Sequence, residues 1–162
     1  GLPTRIGLDS GAVFLGNIGA EHRHEYRAVG DIVSTASRIQ GLNRLLGTRI
    51  LISDAALARG GFTVRGVGAF LLRGKATPLR IHELVAPDGE VPDAARRELH
   101  ERFAGALQAF RTGDWRTAES EFAALLEQFA DDGPTAFYCD LSRRYRRDPP
   151  AEWVGVVSVA VK

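Results

Sequence analysis

The sequence contains no methionine and a single cysteine, Cys139, among its 162 residues. One cysteine cannot form a disulfide within the chain, which is typical of a protein from a reducing, cytoplasmic compartment. We expect Cys139 to be a small buried apolar residue. Because a natural reading frame begins with methionine, a chain that starts at Gly1 is expected to be a piece of a longer protein.

Long apolar runs and an excess of charge of one sign are also missing. No stretch approaches the roughly 18 apolar residues that span a membrane, and no signal peptide is visible. The net charge of +1 gives no case for nucleic-acid binding. The charge is uneven, however, with a net +3 over residues 1–91 and a net −2 over 92–162. This difference is a slight indication of an anionic ligand on the first part.

Strands alternate with helices over the first part of the chain, which predicts an α/β or α+β sandwich. An amphipathic helix is predicted from Asp31, acting as the N-cap, to about Leu46, with Gly47 as its C-cap. A shorter helix is predicted after a cap at Ser53 or Asp54. Strands are predicted at 6–8, 12–18, 25–30, 48–53, 62–67, 69–73 and 79–85.

The second part of the chain is predicted to be helical. Residues 86–94 hold two prolines, a glycine and three acidic residues, and predict a linker. Two apolar helix faces then predict an αα-hairpin broken at Gly113–Asp114; they consist of Leu99, Phe103, Ala106, Leu107 and Phe110, and of Trp115, Ala118, Phe122, Leu125, Leu126 and Phe129. A third helix at 134–144 and an extended tail follow.

This hairpin resembles a single tetratricopeptide (TPR) unit. Because stacked repeats bury each other's faces, one unit alone cannot form a solenoid. We interpret the hairpin as a helical cap on the first domain or as a partner-binding module.

Arg27, Asp31, Ser34 and Arg38 form the first group of residues that could carry chemistry. Ser34 and Arg38 are four residues apart and share one helix face. The guanidinium of Arg38 suits phosphate oxygens, and the first turn of a helix also favours an anion. The alternative is an ordinary solvated arginine on a helix surface.

Arg73 and Lys75 form the second group, with Gly74 between them. Side chains two residues apart on a strand point to the same side, so the pair suits a triphosphate. The alternative is a basic turn that protects a sheet edge. A third group, His22 and His24, lacks further metal ligands at a suitable spacing and is interpreted as a polar loop.

Four segments together resemble the C-terminal half of a class III nucleotidyl cyclase catalytic domain. They are RIGLDSGAVFLGNIG, EYRAVGDIVSTASRIQGLN, GTRILIS and LLRGKATPLRIHEL, which cover residues 4–85 in the order that the family has. The segments FRTGDW, DDGPTAFYC and PPAEWVGVV resemble the tail of bacterial adenylate cyclases with an extracytoplasmic CHASE2 sensor.

The resemblance implies a ferredoxin-like α+β sandwich, present here as its C-terminal half, that pairs head to tail as a homodimer. It implies the conversion of ATP to cyclic AMP, or of GTP to cyclic GMP, with Mg or Mn held by two aspartates. It also implies a parent enzyme anchored in a membrane, with this chain on the cytoplasmic side.

The resemblance also implies roles for individual residues. Arg38 takes the place of the arginine that stabilises charge on the α-phosphoryl group, and Ser34 the place of an asparagine that orients the ribose. Arg73 stands where a lysine binds the β- and γ-phosphates. Arg27 stands at a purine-reading position where Asp or Thr is common, so the choice between ATP and GTP stays open. Ala28, Asp31 and Lys75 complete the substrate-binding set.

The family's metal-binding aspartates precede the matched region, and no acidic residue of 1–91 lies in their context. We therefore predict no metal site in this chain and no cyclase activity of the chain alone. Without the preceding strands the sheet would have an open edge, so we expect self-association or marginal stability.

The resemblance divides the chain into a cyclase half at 1–85, the linker at 86–94 and a helical TPR-like hairpin with an extended tail at 95–162. Two functions stay open. The chain is part of an adenylate cyclase, or it is a non-catalytic regulatory, dimerisation or protein-interaction module derived from one. The residues at positions 27 and 34 favour the second.

Overall fold

The structure is a computed structural model that describes residues 4–18, 25–86 and 92–160, with the backbone alone for residues 17, 18 and 25–27. Its elements in chain order are β1 (Ile6–Leu8), β2 (Phe14–Ile18), β3 (Glu25–Val29), α1 (Asp31–Leu46), β4 (Ile50–Ser53), α2 (Asp54–Leu57), β5 (Thr63–Leu72), β6 (Leu79–Ala86), α3 (Ala94–Arg111), α4 (Trp115–Gln128), α5 (Gly133–Arg147) and β7 (Val157–Val159).

Five of the strands form one mixed sheet in the order β1–β4–β6–β5–β7. The two central pairings, β4 with β6 and β6 with β5, are antiparallel, whereas the outer strands β1 and β7 run parallel to their neighbours. Strands β2 and β3 form a separate antiparallel pair. The α+β class predicted from the sequence is confirmed.

Helix α1 begins one residue earlier than predicted. Gly30 is the N-cap, and Asp31 is the first helical residue. No side chain caps this end; instead the Gly30 carbonyl accepts a hydrogen bond from the Val33 amide at 3.1 Å. The carboxylate of Asp31 is therefore not used as a cap. The other end is as predicted, because Gly47 has a φ of 67° and closes the helix in the left-handed conformation.

Strand β5 corrects a second prediction, that residues 62–67 and 69–73 form two strands. They form one strand with an irregularity in its pairing between Gly66 and Gly68. Gly68 has a φ of 120°, and a Cβ there would lie 2.1 Å from the hydroxyl oxygen of Tyr138. That hydroxyl donates a 2.7 Å hydrogen bond to the Val67 carbonyl. Glycine therefore produces a bulge inside the strand rather than a break.

Helices α3, α4 and α5 pack on the sheet, and a single cluster of buried apolar side chains joins them to α1, β4, β5 and β6. The five residues predicted as the first apolar face of the hairpin are all buried. Cys139 is buried as expected, and burial raises the pKa of its thiol. The predicted extended tail adds β7 to the sheet beside β5.

The TPR likeness and the domain division remain predictions. Among the described residues, no helix is both long enough and apolar enough to span a bilayer.

Candidate functional site

The first turn of α1 meets the turn that connects β5 to β6. The Lys75 ammonium nitrogen lies 2.5 Å from Oδ2 of Asp31 and 3.4 Å from the Asp31 carbonyl oxygen. The Lys75 side chain is only 10% exposed, whereas the Asp31 side chain is 84% exposed. The fold thus brings together two predicted site residues that are 44 positions apart in the chain.

Arg38 lies two helical turns after Asp31, with its guanidinium against the same β5–β6 turn. A Cβ built on Gly74 would lie 3.3 Å from Nη2 of Arg38, and Gly74 has a φ of 72°. The left-handed backbone favours glycine here, and a larger side chain would also crowd the Arg38 guanidinium. Among the described residues, no ion pair or hydrogen bond to the Arg38 guanidinium is found. Its donors are available to an anion.

Ser34 uses its only donor inside the helix. Its hydroxyl donates to the Asp31 carbonyl oxygen at 2.8 Å, and the Thr35 hydroxyl donates to the same oxygen at 2.9 Å. Back-bonding of this kind is common for serine and threonine in helices. In this arrangement the exposed Ser34 hydroxyl can accept a hydrogen bond from a ligand but has no proton left to donate.

The site is an acid flanked by two cations. The hydrogen bond from Lys75 lowers the pKa of the Asp31 carboxyl, and the charges of Lys75 and Arg38 lower it further. Asp31 is therefore ionised at neutral pH and offsets one of the two positive charges. The three side chains together keep a net charge of +1, which favours an anionic ligand at this end of α1.

The expectation that Arg73 and Lys75 share one face of a strand is wrong. Strand β5 ends at Leu72, and a hydrogen bond of 3.0 Å from the Lys75 amide to the Leu72 carbonyl closes a turn. Because Gly74 reverses the chain, Lys75 folds inward to Asp31 while Arg73 remains exposed. No hydrogen bond or ion pair joins Arg73 to Asp31 or Arg38 in the described part of the chain.

Two further predicted residues, Arg27 and Ala28, lie on the separate strand pair. Ala28 is exposed on β3, where it pairs with Leu15 of β2. Arg27 also lies on β3, but its side chain is outside the described part. His22 and His24 lie outside the described residues altogether.

Sequence reasoning treated Gly74 only as a spacer between two cations and missed its closeness to Arg38. The signal was a glycine at a turn between two basic residues.

The described residues do not fit a divalent metal site. Nowhere in the described ranges do three or more His, Cys, Asp or Glu side chains come close enough to hold a metal ion. Asp31 is the acid among the predicted site residues, and its carboxylate is already paired with Lys75. No step of a reaction is therefore assigned to a metal held by these residues.

A cavity of about 910 Å³ lies between the start of α3, the α4–α5 loop, the first residue of β4 and the last residues of β6. None of the predicted site residues lines it. Its floor carries Arg65, which is 5% exposed and ion-paired to Glu83 and Asp132. Beside them is His100, whose pKa is lowered by burial and by the positive charges of Arg65 and Arg96, while Asp132 opposes the shift.

His100 predicts a pH dependence of stability. The pKa of His100 in the folded chain lies below the ordinary histidine value of 6.5, so the unfolded chain binds a proton more readily just below pH 6.5. The free energy of unfolding should therefore fall as the pH is lowered through this range. The His100→Gln variant should lose this part of the slope in urea titrations at pH 7.5, 6.5 and 5.5. An identical slope in variant and parent would contradict the prediction.

Three curated relatives share part of the sequence. Adenylate cyclase 1 of Rhizobium meliloti is 40% identical over 90 residues, which are 52% of this chain and 14% of that protein. The terminal-differentiation-specific adenylate cyclase of Dictyostelium discoideum is 26% identical over 140 residues, 83% of this chain and 7% of that protein. The adenylate cyclase of Anabaena cylindrica is 32% identical over 94 residues, 53% of this chain and 19% of that protein.

The chain thus spans less than a fifth of each of these relatives. The Dictyostelium match covers too much of the chain to be confined to residues 4–85, so it extends into the helical region. A solved structure, the adenylyl cyclase CyaB from P. aeruginosa, aligns with 54% of this chain and 45% of its own at 26% identity and a TM-score of 0.46. No protein-family model matches the chain.

Proposed function

Because the chain contains a domain of the class III adenylate cyclase family, we propose that it is part of an enzyme that converts ATP to cyclic AMP and pyrophosphate. The observation that carries the proposal is the Arg38 guanidinium. It is held against Gly74 beside Lys75, and its donors are not used by any described carboxylate. The 40% identity to a protein named adenylate cyclase supports the same activity.

In this reaction the ribose 3′-oxygen bonds to the α-phosphorus, and the bond from that phosphorus to the bridging oxygen breaks. Pyrophosphate leaves, and the hydroxyl proton goes to a base outside this chain. Arg38 stabilises the charge that grows on the α-phosphoryl oxygens. Lys75 and Arg73 supply positive charge for the β- and γ-phosphates, and Arg27 and Ala28 lie near the base of the nucleotide. GTP remains an alternative substrate.

The proposed enzyme acts as a homodimer on the cytoplasmic side of a membrane-anchored parent and uses Mg or Mn held by residues outside this chain. The exposed apolar residues Phe14, 71% exposed, and Leu15, 56% exposed, support pairing with a second copy. An apolar edge of this kind gains stability when a partner covers it.

A non-catalytic module derived from a cyclase is the second candidate. Its supporting observation is Ser34, whose only donor is taken by the Asp31 carbonyl oxygen. A ribose at this position would lose a donor that an asparagine side chain would supply.

A chimeric enzyme separates the two candidates. Residues 4–85 of this chain replace the matching segment of Adenylate cyclase 1 of Rhizobium meliloti, and cyclic AMP production is measured with Mg and with Mn. We expect measurable activity and a rise of about 10-fold or more with Ser34→Asn, since one preorganised donor is worth on the order of 10-fold to 1,000-fold in rate. Asparagine is long enough to reach beyond the helix backbone, whereas serine is not.

Two further measurements complete the test. The isolated chain should give no cyclic AMP under the same conditions. A folded chimera that is inactive both with Ser34 and with Ser34→Asn would overturn the catalytic proposal and favour the non-catalytic module.

A further inference from the structure

Asp31 is a carboxylate placed where the proposed reaction needs positive charge. It is paired with Lys75 and lies on the same side of α1 as Arg38. A carboxylate repels phosphate, so Asp31 cannot act as a direct ligand of a polyphosphate. Its position requires another explanation.

The Lys75 ammonium has two acceptors, both from Asp31: the carboxylate oxygen at 2.5 Å and the carbonyl oxygen at 3.4 Å. The Lys75 side chain is 10% exposed, so it is held against the protein rather than extended into solvent. The carboxylate that holds it is itself 84% exposed and belongs to the first residue of a 16-residue helix. The carboxylate is therefore free to swing away, while the ammonium is the better-anchored partner.

We propose that Asp31 occupies the position on Lys75 that an oxygen of a polyphosphate takes, and that it thereby weakens the affinity of the site for the triphosphate substrate and the pyrophosphate product. This inference rests on the proposed function, since it concerns the same site. In this proposal Asp31 competes with the ligand for Lys75 and leaves the Arg38 guanidinium without a counter-ion.

The competition has a consequence for turnover. A site that held Lys75 and Arg73 without a counter-charge would bind pyrophosphate as well as the triphosphate, and product release would become slow. Binding that is equally strong for substrate, transition state and product does not raise the rate at saturation. A carboxylate that returns to Lys75 as pyrophosphate leaves would favour release.

The test titrates the full chain with inorganic tripolyphosphate and with pyrophosphate at low ionic strength. NMR spectra recorded during each titration measure the affinity. Asp31→Asn should bind both probes at least about fivefold more tightly than the parent chain, because one unit charge close to a phosphate is removed. The gain should shrink as the salt concentration rises, since the groups are near the surface.

Two variants show whether the gain passes through Lys75. Asp140→Asn removes an equally exposed acid that is paired with Arg143 on α5 and should leave the affinity unchanged. In a Lys75→Gln background, Asp31→Asn should give a clearly smaller gain than it does in the parent chain.

The outcomes separate this inference from the proposed function. Unchanged or weaker probe binding in Asp31→Asn, with binding still lowered in Arg73→Ala, would overturn the role of Asp31 and leave the proposed site intact. Tighter binding in Asp31→Asn that is insensitive to Arg73→Ala would support the competition for Lys75 while contradicting the role of Arg73. An equal gain from Asp140→Asn would overturn the inference, because it would reflect net charge alone.

Discussion

The Arg38→Ala substitution, made in the chimeric cyclase, is expected to lower kcat by about 100-fold to 1,000-fold and to change KM for ATP by less than about threefold. The reason is that the guanidinium meets charge that develops only as the α-phosphorus is attacked. An interaction that exists only in the transition state affects turnover rather than ground-state binding. Steady-state cyclic AMP production over a range of ATP concentrations separates the two parameters.

The structure offers a matched control for this substitution. Arg44 is an exposed arginine in the last turn of the same helix, and Arg44→Ala should leave both parameters nearly unchanged. Arg38→Lys should recover only part of the rate, since a single ammonium cannot reproduce the planar fork. If Arg38→Ala raised KM by 100-fold and left kcat unaltered, the role in the transition state would be wrong and Arg38 would be a ground-state phosphate ligand.

Local patterns in the sequence are sufficient to predict most of the elements. The apolar face of α1 and those of α3 and α4 have the period of an amphipathic helix, and glycines at 47 and 113 end two of these helices. Such signals depend on neighbours within a few residues, so they can be read without knowing the fold. The same reasoning places Ser34 and Arg38 on the same face of α1, one helical turn apart.

Two of the misses share a different cause, because each depends on a partner far away in the chain. The division of β5 into two strands overlooked that Tyr138, 70 residues after Gly68, fills the space at the bulge. The N-cap role given to Asp31 overlooked Lys75, which engages its carboxylate from the β5–β6 turn. Single-sequence patterns hold no record of such long-range contacts.

Replacement of Arg65 is expected to cause a large loss of stability. Its side chain is only 4% exposed. Its guanidinium bonds to Glu83 at 2.5 and 3.0 Å and to Asp132 at 2.8 and 3.1 Å, and it stacks over the Phe103 ring at 4.9 Å from the centroid. These contacts join β5 and β6 to the N-cap of α5 and to α3. Burial would raise the pKa of Asp132, but its bonds to Arg65 and Thr135 lower it overall.

Arg65→Ala should lower the free energy of unfolding by about 3–5 kcal/mol, because it leaves two partly buried carboxylates without their shared cation. This is a large fraction of the roughly 5–15 kcal/mol that stabilises a typical domain. Urea denaturation at pH 7 measures the loss, and Arg102→Ala is the control, since its ion pair with Glu98 is exposed and worth less than about 0.5 kcal/mol. Part of the loss should be recovered at pH 4, where the partly buried Asp132 carboxyl can take up a proton once the guanidinium is gone. Equal losses in Arg65→Ala and Arg102→Ala would mean that the helices are held on the sheet by apolar packing alone.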